Sequence, residues 1–483
     1  MGVENAPLKF GEPFAGICPR VANPAPRREM SRCPSFLSAG FVAMWLAPWA
    51  AAIEITRTLD PSIDTVGQQI LTVQTYTSGT TTVFDLGIYD TGAAVVSFAA
   101  YANEYFPQPH LNPGGAGGQG INGRVIGDVS QPGTVLVGGF QDFTIDVDVD
   151  TFTFDVSVST SPTRAVPGIQ AFVGSLDGSP NLPTLAGTPI HKPSVAFPGG
   201  SAAHVSFSGI DFASSLGLTG QLFIPTFDLV TPGQTLIAKA GSTQPAVIPL
   251  IPLGLDNYGN EGSDITVVPN PTVAGVGLGM AGGSTLVTAG SMLFDTGAQV
   301  SLISTGLAAG LGLDLGNPET TISVKGAAGE PVAIPGFTLG ELVLGAAIDG
   351  AEADDTLRFL DVPVYVYDIG VPGLDGILGM NLFNQADEML IDLINGQFSV
   401  SFYETLPEGG GGDAFAVLGA LLAAGGTSFP VFAGSVAPSL GLGPVVPVPE
   451  PGALVAVASA LAALACRRRH LRVPVRQTVR PPS

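Results

Sequence analysis

The sequence predicts an all-β protein built around a duplicated domain, and three observations carry that expectation. Of 483 residues, 65 are Gly and 41 are Pro, 45% are hydrophobic and only 12% are charged. That composition suits many short strands and turns. It is too poor in Lys and Glu for a coiled coil and too apolar for a charged disordered chain. Second, the run Phe84-Asp85-Leu86-Gly87-Ile88-Tyr89-Asp90-Thr91-Gly92-Ala93 returns as Ser291-Met292-Leu293-Phe294-Asp295-Thr296-Gly297-Ala298. The two aspartates lie 205 residues apart, which is a domain duplication and not a solenoid repeat. Third, Phe143, Ile145, Val147 and Val149 alternate with Thr144, Asp146, Asp148 and Asp150, the period of a strand with one wet face.

Individual elements follow from local pattern. Thr285–Phe294 reads as a strand leading into Asp295. Leu390–Val400 reads as a hairpin turning at Asn395-Gly396. Thr305–Leu313 is the one short helix expected near the second Asp loop. Residues 406–447 are rich in Gly, Pro and Ala and read as a linker, with a helix over Ala414–Ala424 capped by Asp413.

Charge is segregated. Of 18 Lys and Arg, 5 precede residue 33 and 6 follow residue 466, while 37 of the 40 Asp and Glu lie beyond residue 33. The acidic body should repel nucleic acid, so no nucleic-acid partner is expected. Cys18, Cys33 and Cys466 all lie at the ends, so the body has no disulfide or Cys-based metal site. His110, His191, His204 and His470 lack ligand spacing. Neither metal nor organic cofactor is implied.

Both ends read as addresses. Arg27, Arg28 and Arg32 flank the apolar run Phe36–Ala50, and Ala50-Ala51-Ala52 offers an A-x-A cleavage site after Ala52: a secretory signal over 30–52, with 1–29 a non-structural upstream extension. The other end carries Pro449-Glu450-Pro451, an apolar run Ala453–Cys466 and then Arg467-Arg468-Arg469. This combination over 448–470, followed by the basic tail 471–483, resembles the PEP-CTERM sorting signal of Gram-negative bacteria. The resemblance implies an exosortase-type sorting enzyme as partner and transient insertion of a short helix in the inner membrane. The arginines would stay cytoplasmic. Fourteen apolar residues fall short of the roughly 20 a span wants.

Each Asp-Thr-Gly-Ala is followed by an apolar-apolar-Gly: Leu185-Ala186-Gly187 in the first half, Ile377-Leu378-Gly379 in the second. This paired arrangement resembles a bilobal aspartic peptidase of the pepsin and retropepsin-like superfamily, over roughly residues 55–405. The resemblance implies two β lobes, 53–222 and 223–405, with a cleft lined by Asp90 and Asp295. Two carboxyl groups held about 3 Å apart cannot both ionise, and the handful of enzymes built this way share one proton between them. One carboxylate activates water while the other carboxyl polarises the peptide carbonyl. By the same resemblance, Thr91 and Thr296 cross-brace the loops, Gly92 and Gly297 let the backbone turn tightly, and Gly187, Ile377, Leu378 and Gly379 support the loops from beneath. Gly326, Ala327, Ala328 and Gly329 form a candidate flap. Ala93 and Ala298 stand where pepsin-like enzymes commonly carry Ser or Thr, which should move the pH optimum toward mildly acidic or neutral.

The first half departs from the family in having no flap tyrosine between Gly120 and Gly139, and Ala186 is a weaker match than Leu378. Gly277-Leu278-Gly279-Met280-Ala281-Gly282 matches a dinucleotide fingerprint only as a string, since a strand follows where a helix is required. Asp146–Asp150 lacks the Gly and Glu of a calcium loop. The expected function is an exported aspartic endopeptidase acting on peptide or protein substrates at the cell envelope, outer surface or extracellular matrix. The alternative is a catalytically silent, aspartic-peptidase-like surface or matrix-associated binding protein; a self-processing domain that cuts only its own linker is a third reading.

Overall fold

The computed structural model describes residues 52–405, apart from the short segments 62–63, 108, 121–122, 149–152, 162, 175–181, 209, 215–218, 223–224, 254–267, 325–330 and 349–354. The signal segment up to Ala51, the upstream extension, the linker with its Ala414–Ala424 helix, the sorting signal and the basic tail lie outside the described residues. So do the flap candidates Gly326, Ala327, Ala328 and Gly329.

The fold is all-β and bilobal, as expected. Strands form one 12-stranded and one 14-stranded sheet, and Thr305–Leu311 is the single α-helix among the described residues. The helix begins at Ser304, whose hydroxyl accepts the Leu307 amide at 3.2 Å. It stops short of the expected Leu313 because Gly312 takes a left-handed conformation, φ 74°, the geometry that ends helices. No described helix is long and apolar enough to cross a membrane.

The duplication is visible in strand pairing. In the first lobe Leu185–Gly187 inserts parallel to Thr81–Asp90 and antiparallel to Ser97–Phe98. In the second, Gly376–Leu378 inserts parallel to Val287–Phe294 and antiparallel to Leu302–Ile303. Each lobe then raises an antiparallel hairpin: Asn112–Gly120 with Gly123–Val129, and Thr320–Val324 with Val332–Ile348. The first-lobe hairpin thus begins earlier than the Gly120–Gly139 window read from the sequence.

The copies differ in continuity. The second lobe uses two long strands, Val332–Ile348 and Asp355–Val366. The first lobe breaks both: Gly123–Val129 is separated from Gly133–Asp148, and Arg164–Ile169 from Phe172–Gly174. Pro132, with no N–H to offer a ladder, sits in the first break. The breaks are tied together, because the Ser130 amide donates to Ala171 O and the Ala171 amide to Ser130 Oγ, both at 2.9 Å. The alternation read from Phe143 is the far end of Gly133–Asp148, and the chain returns as Thr153–Thr160.

Strands are exchanged between the halves. Glu54–Thr58 runs parallel to Asp355–Val366, and Ala202–Ser206 with Thr226–Val230 adds to Ala386–Asp392. The expected hairpin is Ala386–Asp392 with Gln397–Phe402. Its turn spans Leu393–Gly396, four residues, because Asp392 Oδ1 accepts the Asn395 amide at 3.0 Å and Gly396 takes φ 64°. One hydrophobic core runs through both lobes, from Tyr76, Tyr89 and Phe98 to Phe294, Phe383 and Phe398.

Candidate active site

Asp90 ends the strand Thr81–Asp90, and Asp295 directly follows Val287–Phe294. Each inserted strand lies beside its loop, with Gly187 in register with Asp90 and Leu378 with Phe294. The two loops meet across the lobes, and their carboxyl groups are in hydrogen-bonding contact.

Two threonines hold the loops together. Thr91 Oγ1 donates to Phe294 O at 2.7 Å and accepts the Thr296 amide at 3.0 Å. Thr296 Oγ1 donates to Tyr89 O at 2.9 Å and accepts the Thr91 amide at 3.1 Å. Both side chains are fully buried. Every hydroxyl therefore spends its donor and an acceptor on the opposite lobe, which fixes the loops in one register.

The glycines act through space, not through a tight left-handed turn. Neither Gly92 nor Gly297 has a positive φ. A Cβ on Gly92 would overlap the Asp295 carboxyl, and a Cβ on Gly297 would overlap that of Asp90. Only hydrogen at these positions lets each carboxyl lie against the other lobe's loop. Gly187 and Gly379 repeat the device underneath: a Cβ there would strike the carbonyls of Ala93 and Val95, or of Ala298 and Val300. The chain then grips each loop, with the Thr188 amide donating to Ala93 O at 2.9 Å and the Met380 amide to Ala298 O at 2.8 Å. Ile377 and Leu378 are buried below the second loop, and the Leu378 carbonyl accepts the Asp295 amide at 3.1 Å.

A second brace was not legible in the sequence. The chain approaching the first strand of each lobe clamps the loop of the other. Gly67 donates its amide to Gln299 O at 2.6 Å, and Val268 donates to Ala94 O at 3.1 Å. Asn270 Nδ2 adds a bond to Thr91 O at 2.7 Å. Only Asn270, a buried amide between two prolines, offered any sequence signal.

The carboxyl environments are unequal. Both residues are half-buried, with carboxyl groups enclosed by protein. Burial raises Asp90 well above the usual carboxylate range, and the Asp295 charge adds to it. Asp295 is raised less, because the hydrogen bond from Asp90 and the amides around it favour its charged form. Asp295 Oδ1 accepts the Gly297 and Ala298 amides at 2.9 and 3.1 Å. The amides of Gly92 and Ala93 act on Asp90 in the same sense, yet Asp90 Oδ1 has no hydrogen-bond partner among the described residues. The pair therefore titrates as a unit, with burial holding a proton on the dyad.

Behind the first loop, Tyr89 donates its hydroxyl to His191 Nε2 at 2.9 Å, and His191 Nδ1 lies 2.9 Å from Ser201 O. A carbonyl can only accept, so Nδ1 carries the proton and Nε2 is the acceptor. Burial pushes the imidazole down to about 4. Neither residue had been singled out from the sequence. Among the described residues no group of three or more His, Cys, Asp or Glu stands close enough to hold a metal ion.

No curated protein matches this chain. Among solved structures, that of a retropepsin-like aspartic protease from Rickettsia conorii aligns at 17% identity over 33% of this chain and 93% of that one, with a TM-score of 0.21. Residues 262–382 match the family model described as Aspartyl protease, a span that includes Asp295 and Ile377-Leu378-Gly379. The part of the chain that carries the second Asp-Thr-Gly loop is thus similar to the aspartyl protease family.

Proposed function

We propose that this protein is an exported aspartic endopeptidase. The observation that carries the reading is the reciprocal contact of Asp90 and Asp295, each seated against the other lobe's glycine. In this reading the Asp295 carboxylate takes a proton from a water molecule, and the carboxyl proton of Asp90 is given to the peptide carbonyl oxygen as the water oxygen attacks the carbon. The tetrahedral species collapses when the proton on Asp295 passes to the leaving nitrogen and Asp90 recovers its own. The braces of Thr91 and Thr296 keep both carboxyls in place throughout. The acidic body, the signal segment and the Pro449-Glu450-Pro451 and Arg467-Arg468-Arg469 elements support export through the inner membrane, sorting by an exosortase-type enzyme and residence at the cell envelope or beyond.

Incubation of the protein with a mixed peptide library from mildly acidic to mildly alkaline pH, read by mass spectrometry, tests the activity. Cleavage that disappears in both Asp90→Asn and Asp295→Asn is the expected result. A folded protein that cuts nothing at any pH overturns the peptidase reading and leaves a peptide-binding surface protein in its place.

A further inference from the structure

We propose that the Ala52–Ile53 peptide bond is a processing site, and that the α-ammonium group released at Ile53 is held by the carboxylate of Asp355. The inference rests on the export reading above. Two independent lines fall within one residue of this bond. In the sequence, Ala50 and Ala52 place small side chains three residues and one residue before it. In the structure, the compact unit that carries the fold begins at Ala52, and Ala52 and Ile53 are both exposed.

Asp355 supplies the geometry. The residue is 3% exposed. Oδ1 accepts the Ile53 main-chain nitrogen at 2.6 Å, and Oδ2 accepts the Ile348 amide at 2.8 Å. The Ile53 carbonyl accepts the Thr356 amide at 3.0 Å, so this residue is pinned on both sides. Among the described residues no side-chain cation pairs with Asp355. The charged groups of the neighbouring strands are engaged elsewhere: Arg358 bridges Glu54 at 3.0 Å and Glu341 at 2.6 Å, and Arg57 donates to Gln385 at 2.8 Å. A buried carboxylate without a cation is costly, and a free amine at Ile53 would provide one at hydrogen-bond distance. In the uncut chain the same nitrogen is a neutral amide.

The chemistry is hydrolysis. Water adds across the C–N bond, Ala52 departs as a carboxylate, and the Ile53 nitrogen takes up a proton to become an ammonium. The agent is a membrane-bound signal-type peptidase that accepts small side chains. The new ammonium converts an amide-to-carboxylate hydrogen bond into an ion pair with both partners charged. It thereby docks the edge strand Glu54–Thr58 on the second lobe.

The test uses the full chain, exported from a Gram-negative host. Intact mass and N-terminal sequencing of the exported protein should give Ile53 as the first residue; another first residue, or an uncut chain, overturns the proposal. Acylation of the α-amine by a small reagent near pH 7 should be at least about tenfold slower in the folded protein than in urea, since a paired ammonium gives up its proton less readily. Equal rates overturn the ion pair. Melting temperatures of wild type and Asp355→Asn add a third reading. Their gap should be widest below about pH 8, the range of an unperturbed α-amine, and narrow as pH rises through the raised value. A constant gap overturns the ion pair, and if the variant does not accumulate the acylation rates decide. Peptide cleavage is read separately, and an Asp90→Asn chain should still begin at Ile53. Loss of the peptidase reading therefore leaves this result standing, and the reverse also holds.

Discussion

Tyr89 and His191 form a polar pair behind the Asp90 loop where the second lobe has an apolar one. Phe294 holds the place of Tyr89, and Phe383 that of His191, each at the end of the short 3-10 turn that follows the inserted strand. The geometry is alike: ring centroids 5.7 Å apart at 70° in the first lobe, 5.9 Å at 84° in the second. The difference is two buried hydrogen bonds, from Tyr89 to His191 Nε2 and from His191 Nδ1 to Ser201 O. Tyr89 also lends its carbonyl to Thr296, so one residue carries both the polar pair and part of the brace between the loops.

Removing both members should cost less than the sum of removing each. Tyr89→Phe leaves His191 Nε2 buried without a donor, a penalty of about 1–3 kcal/mol. The double variant Tyr89→Phe/His191→Phe restores an apolar pair like that of the second lobe. Its cost in denaturant unfolding should be clearly less than the sum of the single variants. Additive costs would show that the hydroxyl and imidazole do not depend on each other.

The same histidine makes stability depend on pH. His191 is held neutral, down to about 4 from an ordinary 6.5, chiefly by burial. Its contribution is complete above the unfolded value and is lost as pH falls from about 6.5 to about 4, because the unfolded chain binds the proton more readily. The shift corresponds to about 3 kcal/mol. The dyad works in the opposite sense. Carboxyls raised above their unfolded value stabilise at low pH, and that part is lost as pH rises through the raised value. In urea titrations from pH 4 to 7, the gain of stability with pH should be smaller in His191→Phe than in the wild type. An unchanged slope in that variant would assign the dependence to other groups.

The cross-brace should be sensitive to its hydroxyls more than to bulk. Thr91→Val keeps the shape but removes the donor to Phe294 O and the acceptor for the Thr296 amide. Two buried groups lose partners, for a loss of about 2–4 kcal/mol. Thr91→Ser retains both bonds and should remain within about 1 kcal/mol of the wild type. Thermal unfolding of the two variants side by side tests this; equal losses would place the effect in the methyl group.

Gly92→Ala and Gly297→Ala should separate the site from the fold. Each added methyl meets the opposite carboxyl and not the core. Displacement of about 1 Å at a reacting group can cost about a hundredfold in rate, so peptide cleavage should fall by at least that much while circular dichroism stays that of the wild type. Retained cleavage in either variant would mean that the carboxyls do not work from the observed positions.

Much of the site was legible because its chemistry restricts residue type. Paired carboxyls need Asp at both positions, and close approach needs Gly92, Gly297, Gly187 and Gly379, which local strings display. Ala186 looked like a poorer copy of Leu378. In register it lies opposite Tyr89, as Leu378 lies opposite Phe294, so it belongs to the altered packing behind the first loop. The clamps from Gly67 to Gln299 and from Val268 to Ala94 had no signature, because a main-chain amide leaves no mark on residue choice. The short turn expected at Asn395-Gly396 was lengthened by a side chain three residues before it, Asp392.

By itself the sequence determined that this is a duplicated β protein with two Asp-Thr-Gly loops. Strand periodicity, turn residues and the repeat are local properties, set by backbone sterics and side-chain polarity within a few residues. Tertiary structure decided what depends on contacts between distant segments. It joined Tyr89 to His191 across 102 positions and Ile53 to Asp355 across 302. It also made two chemically identical aspartates unequal, since burial and the surrounding amides set a carboxyl's proton affinity, and those are properties of the assembled space around it.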